Sequence, residues 1–206
     1  MELYVDSNYV SPYAMSVFVA LHEKKLPFKT TLLDLASGAA SAPLFAKLSI
    51  THRVPTLVDG DFSLSESSAI TEYLDETYPG QALYPVERKN RARARQVQAW
   101  LRSDFMPIRS ERTTMVLFYG PSAIPLSAEA QSAAQKLFAG ASALLSHGCP
   151  YLCGTDWCIA DVDLAIMLNR LVLNGDAVPQ HLVNFASRQW ERASVRLWVD
   201  QERSST

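Results

Sequence analysis

Cysteine is scarce in this chain: there are three among 206 residues, an odd number, and none precedes position 149. A disulfide framework is thereby excluded as the organising principle. Excess charge of one sign is missing as well. Nineteen Lys+Arg stand against 21 Asp+Glu, a formal net charge of −2, which leaves no electrostatic footprint for nucleic acid. No uninterrupted apolar run is long enough to span a bilayer as a helix. The opening Met1-Glu2-Leu3-Tyr4-Val5-Asp6 has neither a basic n-region nor an apolar h-region, so no secretory signal is expected. Internal repeats and low-complexity tracts are absent. What remains is a chain that is 48% hydrophobic and 19% charged, the composition of a globular protein with a packed core rather than of a disordered one. Its length admits one large domain or two small ones. A soluble cytoplasmic protein, an enzyme or a binding module, is the expectation.

The first eighty or so residues alternate between strand and helix patterns. Leu3 to Asp6 is a short β-rich run. Ser11-Pro12 opens a helix over 13–25 with Val17, Phe18 and Leu21 on its apolar face; Ser is a favoured N-cap, and Pro at the first helical position loses nothing by lacking an N–H. A second strand is predicted at 28–33 and a short helix at 43–48. Strands at 54–58 and 62–64 flank the turn Asp59-Gly60-Asp61, the pattern of a hairpin. A helix at 67–78 carries Ile70, Tyr73 and Leu74 on one face. The order is βαβαββα. Pro79-Gly80-Gln81-Ala82-Leu83-Tyr84-Pro85 then breaks the pattern and marks a domain boundary. Beyond it only helices are predicted: 88–112, bent or ended near Pro107, 127–146, 159–173, and one or two more within 180–200. An α/β domain (1–79), a linker (80–86) and an all-helical domain (87–206) follow from this reading.

Four local features fall in a fixed order: Ser11-Pro12-Tyr13 at a helix start, Arg53-Val54-Pro55-Thr56-Leu57 before a strand, Leu64-Ser65-Glu66-Ser67-Ser68-Ala69-Ile70 at the next helix, and Ile159-Ala160-Asp161-Val162-Asp163-Leu164 in the helical half. Together they resemble the glutathione transferase superfamily, in particular its bacterial cytosolic serine-type members, and the likeness covers essentially the whole chain. The resemblance implies a thioredoxin-like N-terminal domain with a mixed sheet and a cis proline, an all-α C-terminal bundle, glutathione as co-substrate and no metal.

It also implies roles for particular residues. In similar proteins the proline at Val54-Pro55 is cis and turns the backbone N–H and C=O of the preceding residue outward, to pair with the cysteinyl part of glutathione as an added strand would; a trans proline opening an edge strand is the plainer alternative. At Glu66-Ser67 a strand gives way to a helix. Unpaired N–H groups and a Ser hydroxyl there suit the γ-glutamyl carboxylate, and Glu66 suits the ammonium beside it. Simple capping by Ser65 or Ser68 is the alternative. Arg53 stands where relatives touch the glycyl end of glutathione, and its fork fits a carboxylate; His52 beside it reads as a solvated loop residue.

Ser11 is the candidate catalytic residue. A free thiol has a pKa of about 8.5, so glutathione needs help to ionise at neutral pH. A hydroxyl donor near the sulfur and the positive end of a helix favour the anion. Ser11 also suits plain helix capping, and Ser7, Tyr9 and Tyr13 are rival donors. No cysteine lies in the first helix, which disfavours thiol–disulfide reductase chemistry. The run Val10-Ser11-Pro12-Tyr13-Ala14-Met15 departs from the Ser-Ser-Cys of the maleylacetoacetate isomerase branch.

In the helical half Asp161 reads as part of a capping box whose cap position is Cys158. Cys149, Cys153, Cys158 and His147 lack the C-x2-C spacing of a zinc site. The basic stretch 88–112 reads as a solvated helix or a subunit contact rather than a nucleic-acid face. Relatives use this helix to wall the electrophile site, which makes Asp104, Met106, Arg109 and Arg112 candidates there, while Trp100, Leu101, Phe105 and Ile108 fit the core. The expectation is a glutathione transferase that conjugates electrophilic small molecules, reduces organic hydroperoxides, or both, and works as a homodimer. A non-catalytic binding or stress protein of the same fold and a glutathione-dependent isomerase are the alternatives.

Overall fold

The computed structural model describes residues 1–203. It opens with strand β1 (Glu2–Asp6), helix α1 (Pro12–Glu23) and strand β2 (Lys29–Leu33). A single 3-10 turn (Ala39–Ser41) leads into helix α2 (Pro43–Leu48), followed by the hairpin β3 (Thr56–Asp59) and β4 (Phe62–Ser65) and helix α3 (Ser67–Thr77). The predicted βαβαββα order is therefore present. The four strands form one sheet in the order β2-β1-β3-β4. β1 runs parallel to β2 and antiparallel to β3, and β3 is antiparallel to β4. A parallel neighbour requires a crossover, and α1 supplies it.

Local chemistry accounts for these boundaries. In β1, Leu3 and Val5 are fully buried while Tyr4 between them is not, the period of two expected of a strand. Ser11 caps α1, its Oγ accepting the Ala14 N–H at 3.2 Å, and Pro12 occupies the first helical position. Every residue from Ala14 to Leu21 is buried, because α1 is covered by β1, by α3 and by the last helix, α10 (Ala193–Val199). Lys24, just past α1, is buried with Asp75 of α3, its Nζ 3.7 Å from the carboxylate.

The second set of elements is helical: α4 (Arg88–Ser103), α5 (Met106–Glu111), α6 (Thr114–Phe118), α7 (Ala128–Leu144), α8 (Ile159–Val172) and α9 (Gln180–Trp190). The stretch predicted as one bent helix over 88–112 breaks at Asp104–Phe105 and restarts as α5. Pro107 lies in the first turn of α5, where the missing N–H breaks no helical hydrogen bond. α6 was not anticipated. α8 is the core of this set, flanked by α4 and α9, and Ile159, Ala160, Leu164, Leu168 and Leu171 are wholly buried. Asp161 ties its start down: one carboxylate oxygen takes the Cys158 N–H at 2.8 Å and the other the Leu152 N–H at 2.8 Å. Gly140 of α7 faces Trp100 of α4, and a Cβ there would come within 2.5 Å of the indole, so this position admits only glycine without repacking.

By its contacts the chain divides into two units. One is Met1–Leu83 together with the C-terminal stretch from Ala193; the other is Tyr84–Arg192. The boundary at 83–84 falls inside the expected linker. The expected helical domain ran from 87 to 206; by contacts its last helix, α10, groups with the first unit. The cause is apolar burial: Trp198 is fully buried, with its ring 5.2 Å from Phe18 of α1 and 5.1 Å from Tyr9. Residues 204–206 of that expected domain lie outside the described residues. Among the described residues no helix is long and apolar enough to cross a membrane.

Candidate functional site

Strand register decides which loops meet. Thr56 at the start of β3 is paired with Ser65 at the end of β4 and with Tyr4 of β1. The segment leading into β3, the segment leaving β4 and the segment leaving β1 therefore emerge at one end of the sheet. Those three segments carry Arg53-Val54, Glu66-Ser67 and Ser11 respectively. The structure thus places the segments bearing all five residues that the sequence singled out at the same end of the sheet.

The β1–α1 segment is organised by Asp6. Its buried carboxylate accepts the Val10 N–H at 2.7 Å on one oxygen and the Ser11 N–H at 2.9 Å on the other. Tyr9 closes the preceding turn with an N–H to Asp6 C=O bond of 3.1 Å and a left-handed φ of 52°. Ser11 emerges half-buried at the N-terminus of a 12-residue helix with no acidic residue in its first turn. Its oxygen accepts from Ala14. A hydroxyl retains one donor after accepting, and among the described residues the Ser11 hydrogen has no acceptor. Capping and donation to a ligand are compatible at this one side chain.

Of the rival donors, Tyr9 packs its ring edge-on against Trp198. Ser7 is half-buried just past the sheet and gives its N–H to Leu33 C=O at 2.9 Å. Tyr13 is half-buried in the first turn of α1.

The Val54–Pro55 bond is cis, as the resemblance implied. Among the described residues neither the N–H nor the C=O of half-buried Val54 is hydrogen-bonded, so an extended ligand backbone finds both a donor and an acceptor there. Beneath this segment lies a cluster of hydroxyls for which the sequence offered only the nearness of Thr56 to the proline and of Ser65 to Glu66. Ser49, Thr56 and Ser65 are all buried. Ser65 Oγ lies 2.9 Å from Ser49 Oγ and 3.2 Å from Thr56 Oγ1, and Thr56 Oγ1 donates to Arg53 C=O at 2.9 Å. The cluster fastens the Arg53-Val54 segment to the residue just before Glu66.

Glu66 is the N-cap of α3 with φ 74° and ψ 114°, and no side chain makes a capping hydrogen bond. Ser65, one of the alternative caps, is committed to the hydroxyl cluster. Ser67 is buried at the first helical position. The first N–H groups of a helix have no partner within it and favour an anion. The Arg53 guanidinium and the Glu66 carboxylate are exposed and have no ion-pair or hydrogen-bond partner among the described residues. Charges of both signs are thus free near a helix start, an arrangement suited to a peptide-like zwitterion. His52 is exposed with a left-handed φ of 53°, consistent with a solvated loop residue.

The candidates in the helical unit fare differently. Arg112 is 1% exposed and held bidentately by Asp176, Nε at 2.6 Å and Nη2 at 2.8 Å; its role is a structural ion pair, because a buried guanidinium must be matched. The Asp104 carboxylate takes Lys136, the Trp100 indole N–H and Ser103, and the Lys136 hydrogen bond is the main cause that lowers its pKa. Arg109 gives Nη2 to Arg102 C=O at 2.7 Å. Met106 alone is largely exposed. Cys149 and Cys153 are half-buried free thiols and Cys158 is buried. Among the described residues no group of three His, Cys, Asp or Glu side chains is placed to hold a metal ion.

Comparison with known proteins places the whole chain in a family. The family model described as glutathione S-transferase, N-terminal domain, matches residues 7–82, and that of the C-terminal domain matches 87–202. Glutathione S-transferase 1 of Dianthus caryophyllus is 32% identical over 169 residues, covering 80% of this chain and 74% of its own. The crystal structure of a glutathione transferase homolog from Burkholderia strain BGR1, solved with bound glutathione, is 45% identical, covers 97% of this chain and 96% of its own, and superposes with a TM-score of 0.78. A maleylacetoacetate isomerase from Methylobacterium extorquens AM1, 24% identical with a TM-score of 0.74 over the full length of both chains, shares the fold. The chain belongs to the glutathione S-transferase family.

Proposed function

We propose that this chain is a glutathione transferase in which Ser11 stabilises the glutathione thiolate. The observation that carries the reading is that segments leaving one end of the sheet bear, among the described residues, a hydroxyl with a free hydrogen at Ser11, an unpaired backbone N–H and C=O at Val54, and unpaired charges at Arg53 and Glu66. Glutathione matches these groups in order. Arg53 takes the glycyl carboxylate, Val54 pairs with the cysteinyl backbone, Glu66 takes the ammonium, and Ser67 with the start of α3 takes the γ-glutamyl carboxylate.

The bound thiol then lies within the influence of Ser11 and of the positive end of α1. Lowering a thiol pKa by two units needs about 2.7 kcal/mol of differential stabilisation, within reach of one hydrogen bond to a charged sulfur plus a helix terminus. In conjugation the thiolate attacks an electrophilic carbon, the S–C bond forms, and the leaving group departs with its electron pair. With an organic hydroperoxide the thiolate takes the distal oxygen, giving a sulfenic acid and, after protonation, an alcohol; a second glutathione then closes the disulfide and releases water. Both reactions draw on the same activated sulfur. Family membership supports a cytoplasmic homodimer acting on hydrophobic electrophiles.

The test is the ultraviolet absorbance of bound glutathione thiolate against pH, in the wild type and Ser11→Ala. A titration about two units below that of the free thiol, moved back up by the substitution, is the expected result. A lowered titration that survives Ser11→Ala transfers the donor role to Ser7, Tyr9 or Tyr13. Failure of the wild type to bind glutathione overturns the transferase reading in favour of a binding protein of the same fold.

A further inference from the structure

Ser11 is delivered to the sheet end by a turn in an uncommon conformation, since a left-handed φ is rare for a residue as bulky as Tyr9. Such a turn persists only where its surroundings hold it. One hold is Asp6, described above. The other comes from nearly two hundred residues away.

Arg203 follows α10, and its guanidinium is fixed by carbonyls of its own segment: Nη1 donates to Val199 C=O at 2.7 Å and to Gln201 C=O at 2.8 Å, and Nη2 donates to Trp198 C=O at 2.8 Å. A cation at the C-terminal end of a helix is favourably placed. From this fixed position Nη2 also donates to the Tyr9 C=O at 3.3 Å, while the ring of Trp198 packs on the ring of Tyr9. The Tyr9–Val10 peptide group is thus pinned at both ends, its C=O by Arg203 and its N–H by the Asp6 carboxylate. The next N–H along, that of Ser11, shares the same carboxylate. Freedom of that peptide group to rotate would carry Ser11 with it.

We propose that Arg203 is a positioning residue for Ser11: acting through the Tyr9–Val10 peptide group, it sets the direction of the Ser11 hydroxyl toward the glutathione sulfur. The proposal rests on the transferase reading. It adds that the geometry of thiol activation is completed from the C-terminal segment. Arg203 bonds to the Tyr9 carbonyl and to its own segment rather than to Arg53, Val54, Glu66 or Ser67, so its loss is expected to act on the sulfur and not on the groups proposed to hold the two ends of the tripeptide.

The experiment is a double-mutant cycle on the full chain with glutathione as the probe, comparing wild type, Arg203→Ala, Ser11→Ala and the double variant. The expected result for Arg203→Ala is a bound-thiol pKa raised by about half to one unit, a roughly 3- to 10-fold smaller thiolate fraction below that pKa. The glutathione Kd at pH 5, where the thiol is protonated in every variant, stays unchanged. Arg203→Lys, which restores one donor without the fork, falls between the two. In the Ser11→Ala background the Arg203 substitution leaves the thiol titration where it is.

A wild-type titration retained in Arg203→Ala overturns the proposal. So does an equal shift with and without Ser11, or a lower melting temperature with an unchanged thiol pKa, which makes Arg203 purely structural. Absence of glutathione binding in the wild type overturns the transferase reading and this proposal with it, and is seen before any variant is made.

Discussion

Glu66 holds a backbone conformation, φ 74° and ψ 114°, that L-residues rarely occupy and that costs on the order of 1–3 kcal/mol. Nothing in the core asks for a carboxylate there, since the side chain is exposed; the proposed role in holding the glutathione ammonium would give the strain its reason. Glu66→Gly is therefore expected to raise the unfolding free energy by about 1 kcal/mol while weakening glutathione at least tenfold, the loss of one hydrogen bond to a charged group. Glu66→Ala should weaken glutathione equally without the gain in stability. Urea unfolding and calorimetric titration of the two variants separate the effects, and a Gly variant no more stable than the Ala variant refutes the strain argument. At this scale the sequence singled out Ser11, Arg53, Val54, Glu66 and Ser67 as candidates, each beside a proline or a helix start that marks its segment. It did not disclose Asp6 or the trio Ser49, Thr56 and Ser65. Their work is to accept from or bond to neighbours brought close by folding, and an Asp at a strand end or a Ser in a loop carries no local mark of that.

Among the elements, α8 shows how a buried start can make a helix sensitive to pH. Asp161 is fully buried, and burial raises its pKa from the ordinary 3.8 to about 6, against the lowering effect of the Leu152 and Cys158 N–H groups. Since the folded value lies above the unfolded one, the folded state binds this proton more tightly. The stability so gained is fully present below about pH 4 and is lost as pH rises through about 6. Measured against Asp161→Asn, which does not titrate, the wild type is expected to be relatively more stable at pH 4.5 than at pH 7 by roughly 2 kcal/mol. Urea unfolding at the two pH values provides the check; a difference that does not move with pH removes the burial argument. The same element illustrates what was legible. The apolar run and the Asp three residues past the cap announced α8, and Ser-Pro announced α1. The interruption of the 88–112 stretch at Asp104 and the appearance of α6 were not announced, because both follow from how the chain turns to keep Phe105, Ile108, Val116 and Leu117 inside, a demand that no local period records.

Taken whole, the molecule has a first unit that the chain enters, leaves and re-enters. Periodicity identified helices near the C-terminus but could not say which partner they would choose; Trp198 looks the same in a sequence whether it is buried on α1 or on α8. Its burial against Phe18 and Tyr9 predicts that a fragment of residues 1–83 is poorly stable alone. Joining residues 193–203 to it through a flexible linker should recover about 3 kcal/mol or more, the scale of burying one Trp. Near-ultraviolet circular dichroism and urea midpoints of the two fragments decide the matter, and equal midpoints would show that α10 is dispensable to the first unit. The return of the chain also has a consequence in time. Ribosomes add roughly 5–20 residues per second, so α10 emerges several seconds or more after β4 and α3 have been made. Until then the Tyr9 turn lacks its second hold. The newborn chain thus has its sheet and sheet-end loops in hand before the helix that completes the first unit, and a chain interrupted within the helical unit lacks both the buried Trp198 and the Arg203 contact to Tyr9.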